Sequence, residues 1–194
     1  MLWEIVFVRH AQARHNADAV VRGMRAYYDP ANRDAALTEY GRETARARRG
    51  CVGEPTEYDA VFCSPLQRVW ETLLELMPAA RGHPVVLDDR LMEPQDAVCN
   101  CRAELSELVA ACPVGWDFRG VAEENPFGRE GAEGLDGRVR AFGESMVERF
   151  PDGGRVLVVA HHDWIRSWFA QYGSIEGLSV PNCGVVQWHD SAKS

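Results

Sequence analysis

Ile5-Val6-Phe7-Val8-Arg9-His10 and Val156-Leu157-Val158-Val159-Ala160-His161-His162-Asp163 decide how this chain is read. Each is an unbroken apolar run that stops abruptly in charged and imidazole side chains. A run that does not alternate between apolar and polar suits a strand buried on both faces. Three similar runs, Ala60-Val-Phe-Cys63, Pro84-Val-Val-Leu87 and Gly184-Val-Val-Gln-Trp188, extend the set. Between them lie helical patterns. Leu66, Val69, Trp70, Leu73, Leu74 and Met77 recur at three and four, forming one apolar stripe that opens after Ser64-Pro65 and closes at Pro78. Glu39 to Arg49, Leu135 to Phe150 and Trp164 to Tyr172 read in the same way. Strands alternating with helices predict a three-layer α/β/α sandwich around a mainly parallel sheet. Two stretches fit neither period. Residues 17–36 carry Arg22, Arg25, Tyr27, Tyr28 and Arg33, and residues 112–137 are rich in Gly, Pro and acids. Both are read as insertions in one domain spanning 1–194, of the kind that form lids or binding loops.

Composition narrows the function classes. A chain of 194 residues, 46% hydrophobic and 26% charged, has the make-up of an ordinary globular protein. Its 29 acidic against 21 basic side chains leave a formal charge of -8, which argues against nucleic acid or an anionic membrane as partner. No apolar run nears the roughly 18 residues of a membrane span. Met1-Leu2-Trp3-Glu4 shows neither a basic start nor a cleavage site, so the cytoplasm is the expected compartment. In that setting the six cysteines are expected to be free structural thiols. Cys99-x-Cys101 with Cys112 lacks the paired spacing of a zinc site, and no metal is expected.

Three strand ends carry the chemistry: Arg9-His10, Ser64-Pro65-Leu66-Gln67-Arg68, and His161-His162-Asp163. In doubly wound sheets ligands bind outside the carboxyl ends of the strands, so these clusters are expected to share one crevice. Two histidines and two arginines gathered in an acidic protein make a local anion pocket suited to phosphate. The helix N-terminus after Asp163 and the backbone N–H groups near His10 are further candidate donors. Singly, each residue has a plainer reading. Arg9-His10 is then a solvated rim, Arg68 a surface residue and Glu93 an exposed carboxylate. His15 and His83 are distinguished only by their type.

In order, the motifs resemble those of the histidine phosphatase superfamily, also called the phosphoglycerate mutase-like family. Val8-Arg9-His10-Ala11 with Asn16 resembles its opening Arg-His-Gly and later Asn, and Leu37-Thr38-Glu39-Tyr40-Gly41 its Leu-Thr-x-x-Gly. Ser64-Pro65-Leu66-Gln67-Arg68 with Glu71-Thr72 is similar to Ser-Pro-Leu-x-Arg-Ala-x-Gln-Thr, and Val156 to Arg166 to the closing Ser-His-Gly-Gly-x-Ile-Arg. Departures are Ala11 for Gly, Val69-Trp70 for the frequent Ala-x pair, and His162-Asp163 for two small residues. His162 either narrows the pocket or adds a substrate contact.

The resemblance implies a phosphoglycerate mutase-like fold and a metal-independent phosphatase working through a phosphohistidine. His10 would attack phosphorus while Arg9, Arg68 and a protonated His161 neutralise the phosphoryl oxygens, with Asn16 and His162 also at the phosphate. Glu93 would be the proton donor, with Asp96 and Asp163 as fallbacks. The implied partner is a small phosphorylated substrate or a phosphoprotein, with no cofactor. Arg22, Arg25 and Arg33 are either a solvated loop or contacts to a second anionic group. The alternatives are a phosphomutase and a catalytically weak phospho-ligand binding module. After the acid the chain reads Glu93-Pro94-Gln95-Asp96-Ala97-Val98, without the Arg-His-Tyr of family mutases, so hydrolysis is expected to outweigh transfer.

Overall fold

The computed structural model describes residues 3–126, 128, 130 and 133–190. Its strands are β1 (Glu4–Arg9), β2 (Ala60–Cys63), β3 (Val86–Asp88), β4 (Asp117–Gly120), β5 (Arg155–Ala160) and β6 (Val185–His189). The helices are α1 (Arg14–Arg22), α2 (Glu39–Ala47), α3 (Gln67–Leu76), α4 (Leu105–Ala111), α5 (Gly134–Arg149) and α6 (His162–Tyr172). The strands form one sheet in the order β4-β3-β2-β5-β1-β6. All neighbours are parallel except the edge pair β1 and β6. Among the described residues, no helix is long and apolar enough to cross a membrane.

The two apolar runs quoted first become adjacent central strands, with Val8 opposite Val159 and Arg9 opposite Ala160. Successive side chains leave a strand on opposite faces, which is why an unbroken apolar run feeds two cores. Val6, Val8, Val61, Leu157 and Val159 pack with Ala45 of α2, Val69 and Leu73 of α3 and Leu108 of α4. On the other face, Ile5, Phe7, Phe62, Val156 and Val158 meet Phe142 of α5 and Trp164, Ile165 and Trp168 of α6. Trp164 stacks on Trp168 with centroids 5.9 Å apart and donates its indole N–H to the Arg90 carbonyl at 2.7 Å, so its polar end is satisfied in the core.

Two stretches differ from the sequence reading. Residues 112–137 are not wholly an excursion, since β4 pairs with β3 and extends the sheet. Its sequence, Asp117-Phe118-Arg119-Gly120, holds one apolar side chain because it is an edge with little to bury. The Asp117–Arg119 ion pair at 2.5 Å charges that edge, a common guard against edge-to-edge pairing. Residues 17–36 are largely ordered into the end of α1 and two short 3-10 helices. Their anchor is Asp34, a half-buried residue whose carboxyl accepts N–H bonds from Gln67 at the start of α3 and from Ala103, both at 2.8 Å.

Candidate active site

The three central strands end side by side, and their polar residues meet there. The Nδ1–H of His10 donates to the Ala11 carbonyl at 2.7 Å, which fixes the tautomer and leaves Nε2 with its lone pair. That Nε2 accepts from Arg68 Nε at 3.3 Å. Burial, and then the charges of Arg68, His15 and Arg9, push the His10 pKa well below its usual value, so the ring is neutral. The following turn is latched from behind. Ala11 N–H donates to Thr72 Oγ1 at 2.9 Å, and Thr72 donates to the Arg68 carbonyl.

Arg68 is a fully buried guanidinium that links every part of the site. It donates to the Cys99 carbonyl and to Asn100 Oδ1, both at 2.8 Å, and to His161 Nδ1 at 3.3 Å. His161 in turn sets its Nε2–H on Ser64 Oγ at 2.9 Å. Arg9 extends one arm to the Val180 carbonyl at 2.8 Å, while its buried Nε has no partner. Arg9 nevertheless lines the cavity beside Arg68, which puts two guanidinium groups at its wall. The cavity holds about 410 Å³ and is lined by Arg9, His10, Arg68, Glu93, His162 and Asp163, with Asn16, His15, Met24, Tyr27, Tyr28, Asp96 and others around them.

Glu93 reaches this cavity from the loop after β3. Its two carboxyl oxygens accept the Asp163 and Trp164 N–H groups at 3.2 and 3.3 Å, at the N-terminus of α6. Burial, with the nearby Asp163 charge, outweighs those bonds and lifts its pKa to about 7. Arg138 of α5 holds the loop itself, donating to the Met92 carbonyl at 2.6 Å and the Glu93 carbonyl at 3.2 Å. Gln95 N–H and Arg138 both bind Glu130, which ties the same loop a second time.

Several expectations need correction. His161 was expected to be protonated, but burial and Arg68 hold its pKa well below the usual value, and its Nδ1 accepts a hydrogen bond. It stands behind Arg68 and is wholly buried. Several backbone donors expected to meet phosphate are engaged elsewhere: His10 N–H with the Ala160 carbonyl, Ala11 N–H with Thr72, and the Asp163 and Trp164 N–H groups of α6 with Glu93. Asn16 lines the cavity, yet its Oδ1 accepts the Ala13 N–H that starts α1 and its Nδ2 contacts His15 Nε2 at 3.0 Å. His162 also lines the cavity, and its Nδ1 bonds the Val180 carbonyl at 3.3 Å, the same carbonyl that accepts from Arg9. Arg22, Arg25 and Arg33 do not line the cavity. Arg22 pairs with Asp29 at 2.6 Å and Arg33 with Glu104 at 3.5 Å.

Sequence reasoning missed His15, a buried third histidine whose pKa falls to about 2 through burial and the charges of Arg68 and Arg9. Its ring lies 6.1 Å from His10 and 5.3 Å from Tyr27. It was missed because α1 has almost no apolar pattern, His15 being its one buried residue. Asn100 was also missed, since it sits in a loop with no period. The Leu-Thr-x-x-Gly stretch has a physical role in this fold. Thr38 donates to Gln12 Oε1 at 2.8 Å, and a Cβ on Gly41 would stand 2.1 Å from the Gln12 carbonyl oxygen, so only glycine lets α2 press on the turn after His10. The six cysteines are free, and burial pushes Cys63 well above its usual pKa, Cys99 to about 11 and Cys112 to about 12.

An arginine at a strand end, another in the first turn of α3, a histidine whose pKa is pushed low by burial and a carboxyl raised to about 7, set on a doubly wound sheet, define an α/β protein with a pocket suited to an anion. The chain belongs to the histidine phosphatase superfamily (branch 1), whose family model matches residues 5–188. Solved structures share the fold. A mycobacterial glucosyl-3-phosphoglycerate phosphatase superposes with a TM-score of 0.58 at 20% identity, covering 97% of this chain and 91% of its own. A phosphoglycerate mutase from Bacillus anthracis gives 0.62 at 17% identity, covering 97% and 88%. An Escherichia coli protein described as a putative alpha-ribazole-5'-P phosphatase gives 0.61 at 19%, covering 95% and 89%. No curated protein sequence matches this chain significantly.

Proposed function

We propose that this protein hydrolyses phosphate monoesters of small molecules through a phosphohistidine at His10, without a metal. The observation that carries the reading is the pairing, across one cavity, of a neutral imidazole with a carboxyl whose pKa is about 7. The phosphoryl group binds at the Arg9 and Arg68 guanidinium groups, whose planar charged forks suit its oxygens. Phosphate oxygens take over the Arg68 Nε–H, which frees the His10 Nε2 lone pair. Nε2 then bonds to phosphorus as the ester P–O bond breaks, and Glu93 gives its proton to the departing oxygen. In the second step Glu93, now a carboxylate, takes a proton from water. The water oxygen bonds to phosphorus, the P–N bond breaks, and the electron pair returns to Nε2.

His161 serves this scheme while neutral, by holding Arg68 through Nδ1 and Ser64 through Nε2–H. The test is brief incubation with p-nitrophenyl phosphate and denaturation without acid. The reading requires phosphate bound to His10, stable to alkali and labile to acid. Turnover with no trapped phosphoenzyme would overturn the covalent route.

A further inference from the structure

The cavity has two chemically different ends. Its floor holds the two arginines that a phosphoryl dianion would engage. Its entrance wall is Met24, Tyr27 and Tyr28, supplied by the segment after α1, and its rim carries the exposed carboxylates of Asp96 and Asp163. Once phosphate takes Arg9 and Arg68, no arginine or lysine among the described residues lining the cavity is left, and the rim acids face whatever the phosphate is attached to. Arg22 and Arg33 are held by carboxylates of their own, and Arg25 is exposed outside the cavity. A second anion on the substrate would meet like charge there. An aromatic or apolar group would instead meet tyrosine faces, of which Tyr28 is 52% exposed and ready to be covered.

We infer that the substrates are monoesters whose alcohol part carries no second anionic group and presents an aromatic or apolar surface. This deepens the phosphatase reading and rests on it. Acidic phosphoesters, whose carboxylate meets the Asp96 and Asp163 carboxylates and no arginine or lysine among the described lining residues once Arg9 and Arg68 are taken, are selected against. A cationic alcohol is tolerated, because rim carboxylates and tyrosine rings both attract it.

The experiment compares benzyl phosphate, ethyl phosphate, phosphocholine and 3-phosphoglycerate, all alkyl esters, so the leaving groups are chemically alike. Native enzyme is read by kcat/KM, and the His10→Ala variant by the Kd of the same compounds, a readout that needs no turnover. Benzyl phosphate should exceed ethyl phosphate by about 10- to 100-fold, the scale of covering one aromatic group. The 3-phosphoglycerate value should fall below that of ethyl phosphate. Tyr28→Ala, which removes a surface side chain and so spares the core, should erase most of the benzyl advantage through KM. Asp96→Lys should improve 3-phosphoglycerate by roughly 3- to 10-fold, the yield of reversing one exposed charge.

If 3-phosphoglycerate matches or exceeds benzyl phosphate in both turnover and binding, the inference is overturned while the phosphatase reading stands. If His10→Ala binds benzyl phosphate the tighter but native enzyme hydrolyses none of the four, nor p-nitrophenyl phosphate, the selectivity stands and the phosphatase reading falls.

Discussion

The floor of the cavity and its entrance are built on different principles. On the floor, His10, Arg68 and His161 are almost wholly buried, and each is fixed by at least two hydrogen bonds to strand ends, helix starts or one another. At the entrance, Met24 and Tyr28 are exposed, as are the rim carboxylates of Asp96 and Asp163. Buried polar groups are costly unless fully partnered, so the floor admits one arrangement and little substitution. The entrance makes no such demand on sequence. On the proposed reading, the contrast separates chemistry, placed among buried and hydrogen-bonded side chains, from selection of the alcohol part, placed among exposed ones.

The contrast breaks first at His10. His10→Ala should lower turnover by about 10⁴-fold or more, the scale seen when a covalent nucleophile is lost. A variant at wild-type rate would move the nucleophile elsewhere. Glu93→Gln comes next, with a loss of about 10²- to 10⁴-fold on alkyl phosphates and less on p-nitrophenyl phosphate, whose leaving group needs little help. Its pH signature has a definite sign. A pKa raised to about 7 means that the acid form is lost as pH rises, so kcat/KM for alkyl esters should fall through pH 7, and Glu93→Gln should abolish that limb. An equal small loss on both ester types would transfer the role to Asp96 or Asp163.

Arg68→Lys should cost about 10²-fold, comparable with removing one oxyanion donor, because an ammonium cannot bridge Cys99, Asn100, His10 and His161 together. The floor also leaves a mark on stability. His10, His15 and His161 have folded pKa values below the unfolded 6.5, so their contribution is complete above 6.5 and lost as pH falls. Glu93 acts in the opposite direction between 4.5 and about 7 and offsets part of this. Thermal unfolding at pH 7 and pH 5 should therefore show a lower Tm at pH 5, and His15→Gln should reduce the difference. Outside the cavity, Arg33→Ala should alter kcat by less than about twofold, in keeping with an exposed ion pair. Exhaustive chelation should leave the rate unchanged, and a rate restored only by added metal would mean that Arg9 and Arg68 do not neutralise the phosphoryl charge by themselves.

Legibility followed the same division. The two runs around Val8 and Val159 were readable because central parallel strands bury both faces. The α3 stripe was readable because one helix face packs on them, and the observed helix, Gln67–Leu76, lies between the predicted Ser64-Pro65 and Pro78 punctuation. β4 was not, since an edge strand with one apolar side chain carries no pattern to find. α1 and α4 bury one residue each and leave no stripe.

By itself the sequence determined the layered α/β fold, the parallel core and the strand ends at which Arg9, His10, Arg68 and His161 stand, because burial and punctuation are local properties of a chain. Resemblance to a family singled out Glu93, which the structure brings to the same cavity. Tertiary structure alone decided their states. Neutral His10 and His161, and a Glu93 carboxyl near pH 7, follow from burial and from charges that lie tens of residues away in sequence. His15, Asn100 and the acidic, aromatic entrance likewise emerge only when loops from separate stretches close over one cavity, for the electrostatic environment of a group belongs to the space around it and not to its neighbours in the chain.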